Sequence, residues 1–375
     1  MHLVATAARR IADAVRHDYL LWVLAAAAAS AAASDPRAIS GYPALVDWPT
    51  VEALAGLLIL TQGLEASGAL TALARYLVAR IGDQRRMALV LIASAAVLSM
   101  IVTNDVALFA LVPLTLSIAA SAHLPTVRLV VFEALAVNAG SCLSPVGNPQ
   151  NLFLWQRSGT SLLGFVAAMA PLCALCLATL ILVTLMAFRG RPIQITAALA
   201  TPIEPRTLAL SAFPYVPFLV LTDLHHATIA LAIIAILFTL GARRVLARVD
   251  WSLVVVFILM FIDLRLLAAQ PWIHAAIAQL GPGQPGHLYW IGIALSQLIS
   301  NVPASILLAQ YSHDWRTLAV AVNVGGFGIA IGSLASLIAL RMLGQRRAWI
   351  AFHAWSVPFL VAIAAIVYSW LSFSH

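Results

Sequence analysis

Long apolar runs separated by short polar ones set the pattern of the chain. Nine of these runs are read as bilayer spans: Asp18–Ser34, Thr50–Ser67, Val127–Phe153, Ser161–Phe188, Arg206–Asp223, Ala227–Gly241, Asp250–Ala268, Thr317–Leu340 and Ala348–Phe373. A helix needs roughly 17–25 residues to cross. Two further runs, Met87–Ala122 and His287–Tyr311, are split by polar residues. Each half is short for a crossing, so both read as re-entrant hairpins. Non-helical backbone at that depth survives only when buried in protein or lining a watery cavity. Ala69–Arg86, with Arg75, Arg80, Arg85 and Arg86 among apolar positions, reads as an interfacial amphipathic helix.

Composition sharpens this. Apolar residues make up 62% of the 375 residues and charged ones 9%, against roughly 45–50% and about 25% in soluble domains. Mean hydropathy is +0.97. The pattern is that of a polytopic membrane protein and excludes a soluble enzyme, a nucleic-acid binder and a secreted disulfide scaffold. The net charge of +7 comes from 21 basic residues, all Arg, placed in short loops with no interleaved aromatics. The three Cys fall inside apolar segments. With the N-terminus cytoplasmic and both hairpins returning to their starting side, only Arg37, Arg157, Arg265 and Arg316 fall outside. The other Arg residues, Arg9, Arg10 and Arg16 among them, are cytoplasmic, a strong positive-inside bias. Those three before the run Tyr19–Ala33 also fit a cleaved signal peptide. The run's place in a repeat favours a retained span.

The repeat rests on three landmarks. Val46-Asp47-Trp48 returns as Val249-Asp250-Trp251, offset by 203. Thr103-Asn104-Asp105 returns as Ser300-Asn301-Val302, offset by 197. Asn138–Leu152 aligns with Asn323–Leu337, offset by 185. The chain divides into a first repeat over 1–190, a linker with an extra span over 191–226, and a second repeat over 227–375. The odd number of crossings before the second repeat inverts it. The expected fold is an all-α polytopic membrane protein, an inverted repeat of about five elements with two re-entrant hairpins and two broken helices. Inverted repeats with interrupted helices point to a secondary transporter with its site at the repeat interface.

The strings TNDVALFALVPL, FEALAVNAGSCLSPVGNPQN, SQLISNVP and AVNVGGFGIAIGSLASLIALRM resemble the ion transporter superfamily, nearest to its citrate transporter-like members. That superfamily also holds arsenite permeases, certain Na⁺/H⁺ antiporters and divalent anion/Na⁺ symporters. The resemblance implies that the two hairpin tips hold both substrate and coupling ion.

The residues support chemistry of that kind. A break at Thr103-Asn104-Asp105 leaves the N–H groups and positive dipole end of the next half-helix facing inward, which suits an anion. Carbonyl, hydroxyl and amide oxygens beside it suit a hard cation. An ordinary helical turn would also favour Asn and Asp. Substrate contacts are expected from Thr103, Asn104, Asn148, Pro149, Ser300, Asn301, Val302 and Ser333. Cation coupling is expected from Asp105, Asn138, Gly140, Ser141, Asn323, Gly325 and Gly326, with Na⁺ near Asn104, Asp105 and Gly140. Asp105 departs from the dicarboxylate symporters, which carry a small hydroxyl residue there. An intramembrane carboxylate is costly and a functional candidate, or it caps the following half-helix.

Weaker candidates remain. Glu133 fits a proton relay or a structural hydrogen bond. Glu65 and Asp263 fit interfacial carboxylates. Arg265 fits a local pair with Asp263 or an anion contact at the outer mouth. His225-His226 has no ligand-spaced partners, and Cys173 and Cys176 read as helix filler. No GxSG, GxGD or Walker A string occurs, so an enzyme is not expected. The expectation is ion-coupled (H⁺ or Na⁺) translocation of an anion such as citrate or another carboxylate across the inner membrane. The alternatives are a Na⁺/H⁺ antiporter or an arsenite/oxyanion efflux permease. Partners are a small-molecule or inorganic anion and the lipid bilayer, with a homodimer open to it, and no nucleic acid. No cofactor is expected beyond the coupling ion.

Overall fold

The computed structural model describes residues 19–78, 81–122, 124–193 and 202–373. Arg9, Arg10, Arg16, Arg80, Asp18 and the linker residues 194–201 lie outside them. Among the described residues eighteen helices carry the fold in chain order, with shorter turns left unnumbered. The first half holds α1 (Tyr19–Ser34), α2 (Trp48–Ala66), α3 (Ala69–Val78), α4 (Gln84–Ile101), α5 (Asn104–Ala122), α6 (Thr126–Ser141), α7 (Pro149–Ser158) and α8 (Leu162–Ala187). Then come α9 (Pro205–Ala212), α10 (Tyr215–Asp223) and α11 (Ala227–Gly241). The rest is α12 (Trp251–Ala268), α13 (Pro271–Gln279), α14 (Pro285–Ile299), α15 (Asn301–Leu308), α16 (Trp315–Val324), α17 (Leu334–Leu343) and α18 (Arg346–Phe373). No strand occurs among the described residues.

Side-chain caps start many of these helices where the sequence turns apolar. Asp47 accepts from the Thr50 N–H at 3.2 Å to open α2, and Asp250 accepts from the Ser252 N–H at 3.1 Å to open α12. Both satisfy backbone donors that no carbonyl reaches. The adjoining Trp residues also match: the Trp48 indole donates to Pro43 O at 3.0 Å and the Trp251 indole to Leu246 O at 2.9 Å. The recurring Val-Asp-Trp string therefore folds the same way twice.

The centre of the molecule is α6, packed on α4, α5 and α17, together with α14 on α15 and α16. Helix α7 bridges to α15 and α16. Around them α2 packs on α9 and α11, and α1 on α12. Buried rings lock the layers: Phe132 meets Phe188 at 5.2 Å and the half-buried Trp355 at 5.0 Å, and Phe153 meets Phe261 at 5.4 Å. On the perimeter Phe213 is 82% exposed and Leu240 80%. In a chain of this composition such side chains face lipid.

Three expectations change. The halves of the first hairpin are 18 and 19 residues long, about 27 and 28 Å at 1.5 Å per residue, so each has the length to cross. The cap Asp83 starts α4 three residues ahead of Met87, and so takes in the polar Gln84, Arg85 and Arg86. The expected span Arg206–Asp223 is two helices of 8 and 9 residues, interrupted at Phe213-Pro214, because proline lacks the N–H and its ring clashes with the preceding turn. Among the described residues four helices, α4, α8, α12 and α18, have the length and apolarity to cross as single rods. Several of the other apolar helices are shorter. Thus α11 has 15 residues, about 22 Å of rise.

Candidate functional site

Both long apolar runs containing Gly and Asn, the first of them with Pro as well, are broken. Helix α6 ends at Ser141, and α7 restarts at Pro149 with Asn148 as its cap, its side chain accepting from the Asn151 N–H at 2.9 Å. Helix α16 ends at Val324, a short 3₁₀ turn spans Ala330–Gly332, and α17 restarts at Leu334. In between, Gly328 takes φ +94°, a left-handed conformation that only glycine adopts without strain.

The two breaks are bonded to each other. Asn138 donates its side-chain amide to Gly326 O and to Ser336 Oγ, both at 3.2 Å, and its Oδ1 accepts from Ser333 Oγ at 2.9 Å. Asn148 donates to Asn323 Oδ1 at 3.1 Å, and Asn323 donates to Asn151 Oδ1 at 2.6 Å. The shift of 185 turns Asn138 into Asn323, Asn148 into Ser333 and Asn151 into Ser336. Each half's asparagine therefore bonds the corresponding pair of side chains in the other half. Asn148 also donates to Ser141 O at 3.1 Å. These amides are occupied by protein, so Asn138, Asn148, Asn151 and Asn323 act here as a crosslink, while Ser141 bonds only within the first break.

Each hairpin tip is tied to its own break. The Asn104 N–H donates to Gly147 O at 2.9 Å, and Ser144 Oγ donates to Met100 O at 2.7 Å. Gly140 allows the close approach: a Cβ there would lie 2.1 Å from Ala96 O. In the second half Gln297 donates to Gly325 O at 2.6 Å and Phe327 O at 3.0 Å, and accepts from the Ile329 N–H at 2.7 Å. Asn301 lies against Gly326, its Nδ2 3.1 Å from where a Cβ would stand. Ser300, between α14 and α15, has φ +75°, a strained value for a residue with a side chain. Val302 is buried beside it.

The first tip differs from everything around it. Thr103 Oγ1, Asn104 Oδ1 and Asp105 Oδ1 are buried and have no hydrogen-bond partner. Asp105 Oδ1 caps no backbone N–H, which sets aside the cap reading for that oxygen. Three successive residues thus present unsatisfied oxygens beside the start of α5. Each such atom costs about 1–3 kcal/mol when nothing binds it. A cavity of about 600 Å³ lies elsewhere, lined by Gln84, Arg128, Arg189, Arg191 and Trp355 among others, and shares no residue with this cluster.

Residues 8–314 match the model of the citrate transporter family. The chain belongs to that family. This citrate transporter family member is 45% identical over 335 residues to the inner membrane protein YbiR of Escherichia coli K12, covering 89% of this chain and 90% of that one. It is 32% identical over 301 residues to the uncharacterized transporter MJ0456 of Methanocaldococcus jannaschii, covering 80% and 82%. A stretch of 128 residues, 34% of this chain and 26% of that one, is 29% identical to the silicon efflux transporter LSI3 of Oryza sativa subsp. japonica. The fold is similar to the crystal structure of the Alcanivorax borkumensis YdaH transporter, described as having an unusual topology. There the TM-score is 0.54 at 15% identity, covering 90% of this chain and 88% of that one. The protein is a multi-pass membrane transporter.

Within this family member, Arg265 does not pair with Asp263. It lies 3.8 Å from Asp47 and over the Phe261 ring, while Asp263 Oδ2 is buried without a partner. Positions two apart on a helix do not face each other. Cys142, Cys173 and Cys176 are free and buried. Sequence reasoning missed Gln297, which ties the second hairpin to its break. Its only signal was an amide in an apolar run, three residues before Ser300.

Proposed function

We propose that this transporter moves an anionic substrate, such as citrate or another carboxylate, across the inner membrane by alternating access, driven by Na⁺ or H⁺ bound at the first hairpin tip. The observation that carries the reading is the set of three unpartnered oxygens on Thr103, Asn104 and Asp105. Oxygen donors with a carboxylate among them suit a hard cation, and a bound cation removes their desolvation cost. A bound proton would satisfy Asp105 alone. The anion is accommodated by helix N-termini: α5, α7, α15 and α17 all begin within the tips and breaks, and helix starts present free N–H groups and positive dipole ends. A cation at Asp105 also offsets the repulsion that this carboxylate would exert on a dianion.

Two observations favour second readings. A tip carboxylate with a free oxygen suits Na⁺/H⁺ antiport, and the partial match to a silicon efflux transporter suits oxyanion efflux. Flux assays in proteoliposomes separate them, using a panel of carboxylates and oxyanions under imposed Na⁺ or pH gradients. Accumulation of a carboxylate only when a cation gradient is imposed is the expected result. Cation exchange with no anion movement selects the antiporter, and oxyanion extrusion selects the efflux reading. Anion flux indifferent to both gradients refutes ion coupling.

A further inference from the structure

Glu133 stands mid-way along α6, fully buried, and the reading above makes no use of it. The Thr115 hydroxyl of α5 donates to its Oε1. Its other oxygen, Oε2, is buried with no partner. The helices packed on α6 are α4, α5, α8, α17 and α18. They bring few charges, and those are occupied elsewhere or distant. On α4, Arg85 donates to Phe188 O at 2.8 Å and Arg86 sits in the first turn. Asp105 is at the opposite end of α5, ten residues from Thr115. Helix α8 offers the Cys173 and Cys176 thiols, and α17 offers Arg341, which is exposed. On α18, Arg346 and Arg347 lie in the first turn, and the His353 ring faces Trp349 O and the Ala330 N–H. Arg128 of α6 itself donates to Ala187 O at 2.8 Å. None of these groups bonds to Glu133.

An ionised carboxylate in that setting would give up its hydration for a single hydroxyl contact, a cost of several kcal/mol. The resting group is therefore the neutral acid. A purely structural acid, however, uses both oxygens, because a buried polar atom left unpaired weakens the fold. Here one oxygen is left open, and the bond made by the other joins α5 to α6. Thr115 belongs to the arm of the first hairpin, which begins at the cation tip. Glu133 lies five residues ahead of Asn138, the residue that holds the second half's break.

We propose that Glu133 is a proton-binding site of the transport cycle, separate from the cation site at the first tip. It holds its proton in the state where Thr115 closes on it. It passes the proton to water in the state that parts α5 from α6 and opens the carboxyl to solvent. The proposal rests on the ion-coupled reading, and its test is chosen to fail separately from that reading.

Infrared difference spectra are recorded on the full-length protein in liposomes through a pH titration, for wild type, Glu133→Gln and Asp105→Asn. The expected result is a carboxylic-acid C=O band, present in wild type and Asp105→Asn but missing in Glu133→Gln, that vanishes reversibly as pH rises. A band that persists at every pH marks a sealed neutral acid and overturns the proposal. So does a Glu133→Gln protein that has lost no band. Should Glu133→Gln fail to fold, Thr115→Val removes the hydroxyl that bonds Glu133 and must move the band's frequency and titration midpoint. An unmoved band again refutes the site. Citrate uptake into the same liposomes supplies the transport arm: Glu133→Gln is expected to lose uptake driven by a pH gradient, and undiminished uptake overturns the proposal. A wild-type protein that moves no citrate but shows the titrating band refutes the substrate assignment and supports the proton site.

Discussion

Replacing Asn138 with Ala tests whether the two breaks are held together as described. The change removes three buried hydrogen bonds at once, those to Gly326 O, Ser336 Oγ and Ser333 Oγ. At about 0.6 kcal/mol each, the average for polar contacts inside membrane proteins, the loss is about 2 kcal/mol. At about 1 kcal/mol each, the soluble-protein figure, it is about 3 kcal/mol. Asn323→Ala removes the bonds to Asn148 and Asn151 and one to Ala319 O at 2.8 Å, so a similar loss follows. The two crosslinks share no atom but hold the same pair of breaks. Once one is cut and the breaks part, the other has less left to hold, so the double variant should lose less than the summed single losses, by about 0.5 kcal/mol or more. Equilibrium unfolding of the purified variants in mixed detergent micelles, followed by circular dichroism, reads all three values. Single variants within about 0.5 kcal/mol of wild type, the ordinary range for inconsequential surface changes, would refute the crosslink.

Two further predictions follow from the geometry and the charge pattern. Gly140→Ala drives a methyl to within 2.1 Å of Ala96 O and 2.5 Å of Ser99 Oγ, so it should cost about 1–3 kcal/mol by overpacking and displace the first tip; Gly82→Ala, where nothing lies within 4 Å, is the control, and thermal stability in detergent compares them. A reporter fused after Phe373 and another inserted at Arg189 should land on opposite faces, with Arg189 cytoplasmic; the same face for both contradicts the orientation drawn from the Arg distribution.

The sequence carried the points of chain that break and the residues that bond there, because Gly, Pro and Asn at membrane depth cannot be filler. Asn138 and Asn323 stood out by their shared surroundings, and their offset of 185 relates the bonds they make. It did not carry which partner each would find. The bond from Asn138 to Ser333 spans 195 residues, and that pairing exists only once the halves are packed. Helix length was also partly hidden. Apolarity starts at Met87, but the helix starts where Asp83 caps it, because a cap acts on backbone donors and ignores hydropathy. Pro214 was in plain view inside an apolar run that looked continuous. Arg265 found Asp47 rather than Asp263 for reasons of helix geometry that the spacing of two already contained. Gln297 gave no such cue.

The central claim is that the oxygens of the first tip hold the coupling cation, and Asp105→Asn tests it most directly. Asparagine keeps the shape and one oxygen but loses the charge, and it supports a helix start about as well as aspartate. Citrate uptake into proteoliposomes is measured with an inward Na⁺ or H⁺ gradient, alongside exchange at equal citrate concentrations with no gradient. The account predicts that gradient-driven uptake is abolished and that exchange continues, since exchange needs no net ion movement. Full gradient-driven uptake by Asp105→Asn would contradict it.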